Sequence, residues 1–442
     1  MNHVPQTMAA ASAGRNGDLA PAGVPGGATA ITPSHELLDA VRPRVTAAIA
    51  ALRAGGTVVV VEDRPGGAVF GIAAGILTTT EALNQLVSVC GGVIAVTVDD
   101  ARADALDLPL IERKRAAPWT PMYAVSVEAA VGVSTGISAA DRAITTVALC
   151  DPATTARDLV RPGHIMPIRV GKLGVLRRPY GPEAAHNLVQ AAGLHGGAVL
   201  AHVIEGNDDV TVDGAKAFAE RKSLPLVLTS DVALWRATHE ELVRVLERGE
   251  LSAAAGTFMV EVYQSDLDGA PHLALVRGDL SAGGPPLVRI HSQCLTGDVL
   301  HSQRCDCGAQ LQGALAAVAA EDRGAVLYLS QEGRGIGLVG KIRAYALQDQ
   351  GRDTVDANLD LGFAADQRDY AVAAQMLRRN GVSAIRLLTN NPDKVRAMER
   401  LGIEVVETVP LQFAALADNV AYLRTKRDRL GHVLALDEGG RA

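Results

Sequence analysis

Cys294, Cys305 and Cys307 stand in the spacing C-x10-C-x-C, with His291 and His301 close by in the chain. Thiolate and imidazole are the ligands zinc prefers, and a structural zinc normally takes four of them. Two zinc arrangements fit this set. One is a closed structural site completed by a histidine. The other is a catalytic site of three thiolates with water in the fourth position, where zinc lowers the pKa of that water toward about 7. Spacing alone leaves both open, beside the plainer possibility of free buried thiols.

Three further segments carry groups suited to phosphate or acid–base chemistry. Gln331-Glu332-Gly333-Arg334-Gly335-Ile336-Gly337-Leu338 falls between a predicted strand and a predicted helix. Glycines let backbone amides approach an anion, and a helix N-terminus favours one. Arg334, Lys341 and Arg343 add three cations, which suits a polyphosphate, although a glycine-rich tight turn is the bland alternative. Asp366-Gln367-Arg368-Asp369-Tyr370 stands at the start of a predicted helix. It reads either as helix-terminal charge with a surface ion pair or as an acid–base group beside a phosphate clamp. Thr389-Asn390-Asn391-Pro392-Asp393-Lys394 caps a helix, and its hydroxyl, amides and ammonium could hold a nucleotide.

The elements that must position these groups follow from hydrophobic periodicity. A chain of 442 residues suggests two domains. In the first half, apolar spacing predicts a helix over 36–54, ended by Gly55-Gly56. Buried strands are expected at 58–61, 93–96 and 198–201, and helices at 182–192 and 213–221, closing a mixed α/β domain near Arg236. Residues 237–250 are polar and helical in pattern, and are expected to form a connector. The second half alternates strand, loop and helix. Strands are expected at 287–290, 326–329 and 385–388, with one helix through Leu311, Leu315 and Val318 stopped by Gly324 and another through Ile342, Tyr345 and Ala346. That alternation argues an α/β domain, whose loops after the strands carry the site.

Composition narrows the partners. Hydrophobic residues make up 48%, charged residues 21%, and the formal net charge is −7. A mildly acidic chain is a poor nucleic-acid binder, which needs a basic face. Five cysteines are too few, and odd in number, for a disulfide scaffold. No apolar run approaches the ~18 residues of a membrane span. Residues 1–33, rich in Ala, Gly and Pro, read as a disordered leader rather than a signal peptide. The cytoplasm is the expected compartment.

Four of these segments, in order, resemble GTP cyclohydrolase II: RIHSQCLTGDVLHSQRCDCGAQL, QEGRGIGLVGKIRAYALQDQGRDTVDAN, LGFAADQRDYAVAAQML and LLTNNPDKV. The match runs from about 255 to 412, and YLRTKRDRLGHVL at 422–434 looks like the tail of two-domain members. The resemblance implies a domain over 240–442 in which Cys294, Cys305 and Cys307 hold one catalytic zinc, and water activated there opens the guanine ring of GTP at C8 and releases formate. It implies that Tyr345 lies near this reaction. Arg289, Gln310, Glu332, Arg334, Thr354, Thr389 and Lys394 would contact the nucleotide, with Mg²⁺ on the triphosphate. Asp366 and Arg368 would serve pyrophosphate release. The family proposal makes the arginine a nucleophile. Arginine stays protonated, so a phosphate clamp is the safer role. Ser330 stands where the family has arginine and Gln293 where it has glutamate, which puts substrate affinity in question more than reaction type.

Residues 35–236 resemble 3,4-dihydroxy-2-butanone 4-phosphate synthase, through GVSTGISAADRAITT at 132–146, RPGHIMPIRV at 161–170 and GVLRR at 174–178. Against the family pattern, the acidic loop after the first strand is short and holds no carboxylate beyond Asp63. The metal-binding His-Thr-Glu reads Gly181-Pro182-Glu183, the Cys-Glu pair reads Ala201-His202, and a further cysteine is Ala95. Glycine and alanine neither ligate Mg²⁺ nor move protons, so synthase activity is expected to be absent. The expected assembly is a homodimer that binds GTP and neither nucleic acid nor membrane. A paralogue acting on a related nucleotide, or a non-catalytic nucleotide-binding scaffold, are the alternatives.

Overall fold

The structure, a computed structural model, describes residues 35–111, 120–206, 208–363, 368–413 and 420–434. The predicted leader at 1–33 and Asp366 lie outside them. The described chain is mixed α/β and builds two sheets.

The first sheet uses β1 (Val58–Val61), β2 (Val69–Ala74), β3 (Cys90–Asp99), β4 (Val127–Ala129), β5 (Leu159–Val170), β6 (Ala198–Glu205), β7 (Asp208–Asp209) and β8 (Leu226–Leu228). Their order is β4-β5-β3-β6-β2-β1-β8, with β7 paired to β6. Four consecutive valines make β1 a strand because β-branched side chains suit a pleated, buried surface. Its side chains alternate: Val59 and Val61 join one core, Val58 and Val60 the core on the opposite face. The second core is covered by the helix His35–Arg53, which stops where Gly55 takes φ +74.

The second sheet uses β9 (Val243–Ala253), β10 (Gly256–Ser265), β11 (Pro271–Arg277), β12 (Leu287–Ser292), β13 (Gly324–Leu329), β14 (Ala384–Leu388) and β15 (Glu404–Val409), in the order β15-β14-β12-β13-β11-β10-β9. β12 to β15 run parallel, while β11, β10 and β9 add an antiparallel wing. β12 sits between β13 and β14, so the chain crosses over in opposite directions on its two sides. Such a switch point opens a crevice at the carboxyl ends of the strands. The cysteine loop, the glycine-rich loop and Thr389 leave the sheet there.

Two expectations are corrected. Residues 237–250 are not a helical connector: the helix Thr229–His239 ends and β9 begins at Val243. β9 is the edge of the sheet, paired only with β10 among the described residues and exposed along most of its length. An edge strand tolerates charge on both faces, so Arg244, Glu247, Arg248 and Glu250 disguised it. Gly324 does not stop the preceding helix, which closes at Ala319; it opens β13.

The helix Thr229–His239 joins the two sheets. Arg236 Nη1 donates to the Leu173 carbonyl at 2.6 Å and to Asn187 Oδ1 at 2.9 Å on one side. On the other, Gln375 Nε2 donates to the carbonyls of Ala237 at 3.0 Å and Glu240 at 2.9 Å. Gln375 Oε1 accepts from the Leu242 amide at 2.6 Å. No described helix is long and apolar enough to cross a membrane.

Candidate active site

The crevice holds a cleft of about 900 Å³. Its lining includes every predicted site residue that is described: the three cysteines, Arg289, Gln310, Glu332, Arg334, Tyr345, Thr354, Arg368, Thr389 and Lys394. Asp366 lies outside the described residues.

At one end the three sulfurs lie within 4.8 Å of one another, and Cys294 Sγ is 3.7 Å from Cys305 Sγ. Cys294 follows β12, and Cys307 begins the helix Cys307–Ala319, whose positive N-terminus favours thiolate. The hydrogen bonds of Cys305 and Cys307 hold the Cys294 thiol far below its ordinary range. The same contact with Cys294 pushes Cys305 up to about 11 and raises Cys307 well above the ordinary thiol range. A soft dication bound among the three sulfurs would displace the protons that remain on them. Gly297 lies beneath it. A Cβ there would come within 2.8 Å of Cys305 Sγ and 3.0 Å of Cys294 Sγ, so the absence of a side chain keeps the space among the sulfurs open. Three thiolates around such a space fit zinc.

No histidine belongs to this cluster among the described residues. His291 Nε2 lies 3.1 Å from Asp298 Oδ1 instead, with its ring stacked on Tyr328. Asp298 also accepts from the Tyr328 hydroxyl and the Cys294 amide, both at 2.9 Å. This network, which spacing gave no reason to expect, fixes the first cysteine's backbone. Of the alternatives left open by the sequence, the closed site with a histidine ligand is the one this geometry does not support.

Lys341 Nζ lies 3.0 Å from Cys294 Sγ and 2.7 Å from Glu332 Oε1. Burial works against the ammonium, but Cys294 and Glu332 outweigh it and raise its pKa, so Lys341 stays charged. The Glu332 carboxylate is fully engaged: besides Lys341 it accepts from the Leu295 amide at 2.6 Å and from the Gly333 amide at 3.0 Å. It therefore ties the glycine-rich loop to the cysteine loop. Gly333 and Arg334 both take left-handed backbone conformations, φ 62 and φ 64. Arg343, predicted beside the loop, is exposed and does not line the cleft.

Tyr345 projects from the helix Gly337–Gln348 so that its hydroxyl lies 3.1 Å from Thr296 Oγ1, itself 3.7 Å from Cys294 Sγ. Burial raises the phenol's pKa, so it is a proton donor at neutral pH. Arg289 is buried, and desolvation pulls its guanidinium down to about 10. Its Nη1 donates to the Leu388 carbonyl at 2.9 Å and its Nη2 to Gln310 Oε1 at 2.7 Å, while Nε has no partner. Arg334 Nη1 is likewise buried without one. Buried donors left unmet are costly, and two on cations in one cleft suit an anionic ligand. Lys394 Nζ donates to the Ile290 carbonyl at 2.8 Å, and Thr389 Oγ1 accepts from the Asn391 amide at 3.1 Å. Ser330 turns to β11, donating to the Pro271 carbonyl, and does not line the cleft; Gln293 does.

Sequence comparison matches residues 244–410 to the family described as GTP cyclohydrolase II and residues 46–235 to 3,4-dihydroxy-2-butanone 4-phosphate synthase. The chain is 47% identical to riboflavin biosynthesis protein RibBA of Salinispora arenicola, over 88% of its own length and 94% of that protein. It is 44% identical to RibBA of Nocardia farcinica over 88% and 96%. Among solved structures it is similar to RibBX, a two-domain 3,4-dihydroxy-2-butanone 4-phosphate synthase from A. baumannii, with a TM-score of 0.58, 26% identity, and coverage of 85% of this chain and 96% of that one.

Proposed function

Because the chain belongs to the two-domain riboflavin biosynthesis family that joins a synthase domain to a GTP cyclohydrolase II domain, we propose that its cleft converts GTP to 2,5-diamino-6-ribosylamino-4(3H)-pyrimidinone 5′-phosphate, formate and pyrophosphate. The observation that carries this reading is the layout of one cleft, with a three-thiol cluster at one end and Arg289, Arg334, Arg368 and Lys394 along it. We divide the chain into 35–236 and 240–442 and assign the GTP chemistry to the latter.

In this reading Cys294, Cys305 and Cys307 hold one zinc, which when bound lowers the pKa of water and supplies a nucleophile at neutral pH. Lys341 balances the anionic cluster and holds Glu332. Tyr345, one hydroxyl away from Cys294 Sγ, passes a proton to the opening ring. Arg289, Gln310, Glu332, Arg334, Thr354, Thr389 and Lys394 position the nucleotide, whose triphosphate carries Mg²⁺. Arg368 clamps the phosphates, and Asp366 serves pyrophosphate release. The helix Gly337–Gln348 exposes Leu338, Val339 and Ile342, which supports a homodimer.

The first domain, we propose, no longer runs synthase chemistry. At Gly181, where the family histidine binds metal, a Cβ would come within 2.2 Å of the Phe70 ring. Glu62 Oε1 accepts from the Gly181 amide at 2.8 Å, and Glu183 is paired with Arg178 at 2.6 Å. The ring of Tyr180 lies beneath Arg64 and Arg178. Glu62 and one oxygen of Glu183 are thus engaged by the chain itself, while Glu183 Oε2 is buried without a partner.

Incubation of the full-length zinc-loaded protein with GTP and Mg²⁺, followed by mass identification of products, tests the first reading; unchanged GTP refutes it and leaves a nucleotide-binding scaffold. Incubation with ribulose 5-phosphate tests the second, and product above a no-enzyme control refutes it.

A further inference from the structure

We propose that the tail, residues 420–434, straps the cleft shut and that His432, backed by Lys426, forms part of the polyphosphate subsite, an inference that rests on the nucleotide reading above.

The tail helix Val420–Leu430 is fastened to three separate walls of the cleft. Lys426 Nζ pairs with Asp306 Oδ1 at 2.6 Å, between two of the cysteines. Arg429 pairs with Asp353 Oδ2 at 2.6 Å and Asp356 Oδ1 at 3.1 Å, at the start of the helix Thr354–Asp360. The Val433 amide donates to the Asn390 carbonyl at 2.9 Å, in the loop after β14. Asp306, Asp353 and Asn390 line different parts of the one cleft, so a segment pinned to all three spans it.

The turn at its end aims a side chain inward. Gly431 takes φ +65, and the His432 amide donates back to the Lys426 carbonyl at 3.0 Å, the left-handed close of a helix. Thr425, Lys426, His432 and Leu434 thereby become part of the lining. Burial first, then the charges of Lys426, Lys394, Arg368 and Arg334, hold the imidazole down to about 3, so His432 is neutral. His432 lines the same cleft as Lys426, Lys394, Arg368 and Arg334, a lining of one neutral donor and four positive charges. Such a lining fits an anion of several charges, attracted by the positive side chains while the imidazole N–H donates to one of its oxygens. The Lys426–Asp306 pair, with side chains only 14% and 8% exposed, points the same way. A desolvated ion pair is weak as a stabiliser, whereas here it holds a cation at the edge of the subsite.

The test uses the full-length zinc-loaded enzyme, with pyrophosphate as probe of the subsite and guanosine as probe of the base end, both as competitive inhibitors of GTP turnover. His432→Ala should raise KM for GTP and the pyrophosphate inhibition constant by roughly tenfold, the loss of one hydrogen bond to a charged group. Guanosine inhibition and zinc content should stay as in wild type. His432→Gln, which keeps an N–H donor, should recover most of the loss, and Arg429→Ala, which loosens the strap without touching the subsite, should show a smaller loss of the same kind. Equal pyrophosphate inhibition of wild type and His432→Ala overturns this inference alone, as does a parallel loss of guanosine and pyrophosphate inhibition. A wild-type enzyme that neither turns over GTP nor binds it overturns the functional reading beneath.

Discussion

Glu332 is the most informative single perturbation, because its carboxylate ties the metal end of the cleft to its glycine-rich wall. It accepts from the Leu295 amide, the Gly333 amide and Lys341, and its side chain and that of Lys341 are 9% and 11% exposed. Glu332→Ala leaves two backbone donors without their acceptor and takes from the buried Lys341 ammonium its carboxylate partner, leaving it Cys294 Sγ, at 3.0 Å, as hydrogen-bond acceptor. Breaking a buried pair from one side costs about 3–5 kcal/mol, a range that already contains much of the unmet-donor cost. At about 2–4 °C per kcal/mol for a domain of this size, the C-terminal transition should fall by roughly 6–20 °C. Differential scanning calorimetry of the full-length protein, with zinc release followed in parallel to identify that transition, reads the shift. Glu332→Gln should fall less, because its carbonyl still accepts from a backbone amide. A shift below about 2 °C for Glu332→Ala would mean that the network adds nothing beyond solvent-exposed contacts, and the reasoning from burial would be wrong.

Cys305→Ser should lose zinc, measured by metal analysis, and lose turnover with it; full activity would remove the three-thiolate assignment. Arg368→Ala should slow pyrophosphate release by about 10²–10³, the usual cost of a lost transition-state contact, with zinc unchanged. Tyr345→Phe should impair formate release more than GTP binding, so formate and pyrophosphate are quantified separately for each variant. Burial pulls His186, in the first domain, from 6.5 down to about 4. A histidine held neutral in the fold stabilises it fully above the unfolded pKa, and that contribution is lost as pH falls from about 6.5 to about 4. The loss is on the order of 3 kcal/mol, so His186→Leu should flatten the pH dependence of the first domain's unfolding across that window, and an unchanged slope would refute it.

What could be read from the chain was whatever is written locally. Val58–Val61 declares a buried strand by four β-branched residues in a row, and Asn391-Pro392 declares a helix start, where the Asn391 side chain indeed accepts from the Asp393 amide. The cysteine spacing pointed to the metal cluster for the same reason. β9 was illegible because, between Val245 and Ala253, both of its faces are exposed and print no period-2 pattern. The fates of His291 and Lys341 were also hidden. His291 could equally have been a ligand until Asp298 and Tyr328 were seen to occupy it, and the approach of Lys341 to Cys294 depends on two loops meeting across the sheet. The tail is the extreme case: Lys426 meets Asp306 from 120 residues away.

The helix Thr229–His239 has a consequence for how the two halves can evolve. Gln375 spends its whole amide on the end of that helix and the residues after it, and it lies on Ala371–Arg379, the helix that directly follows Arg368 and Tyr370. Arg378 adds a donor to the same Ala237 carbonyl at 3.1 Å. The helix that follows Arg368 is therefore buttressed by the helix Thr229–His239. A gene trimmed to residues 240–442 would remove the Ala237 carbonyl that Gln375 and Arg378 share, leaving Gln375 its bonds with Glu240 and Leu242. The last helix of the first domain thus has a packing duty toward the second, separate from any chemistry of its own sheet.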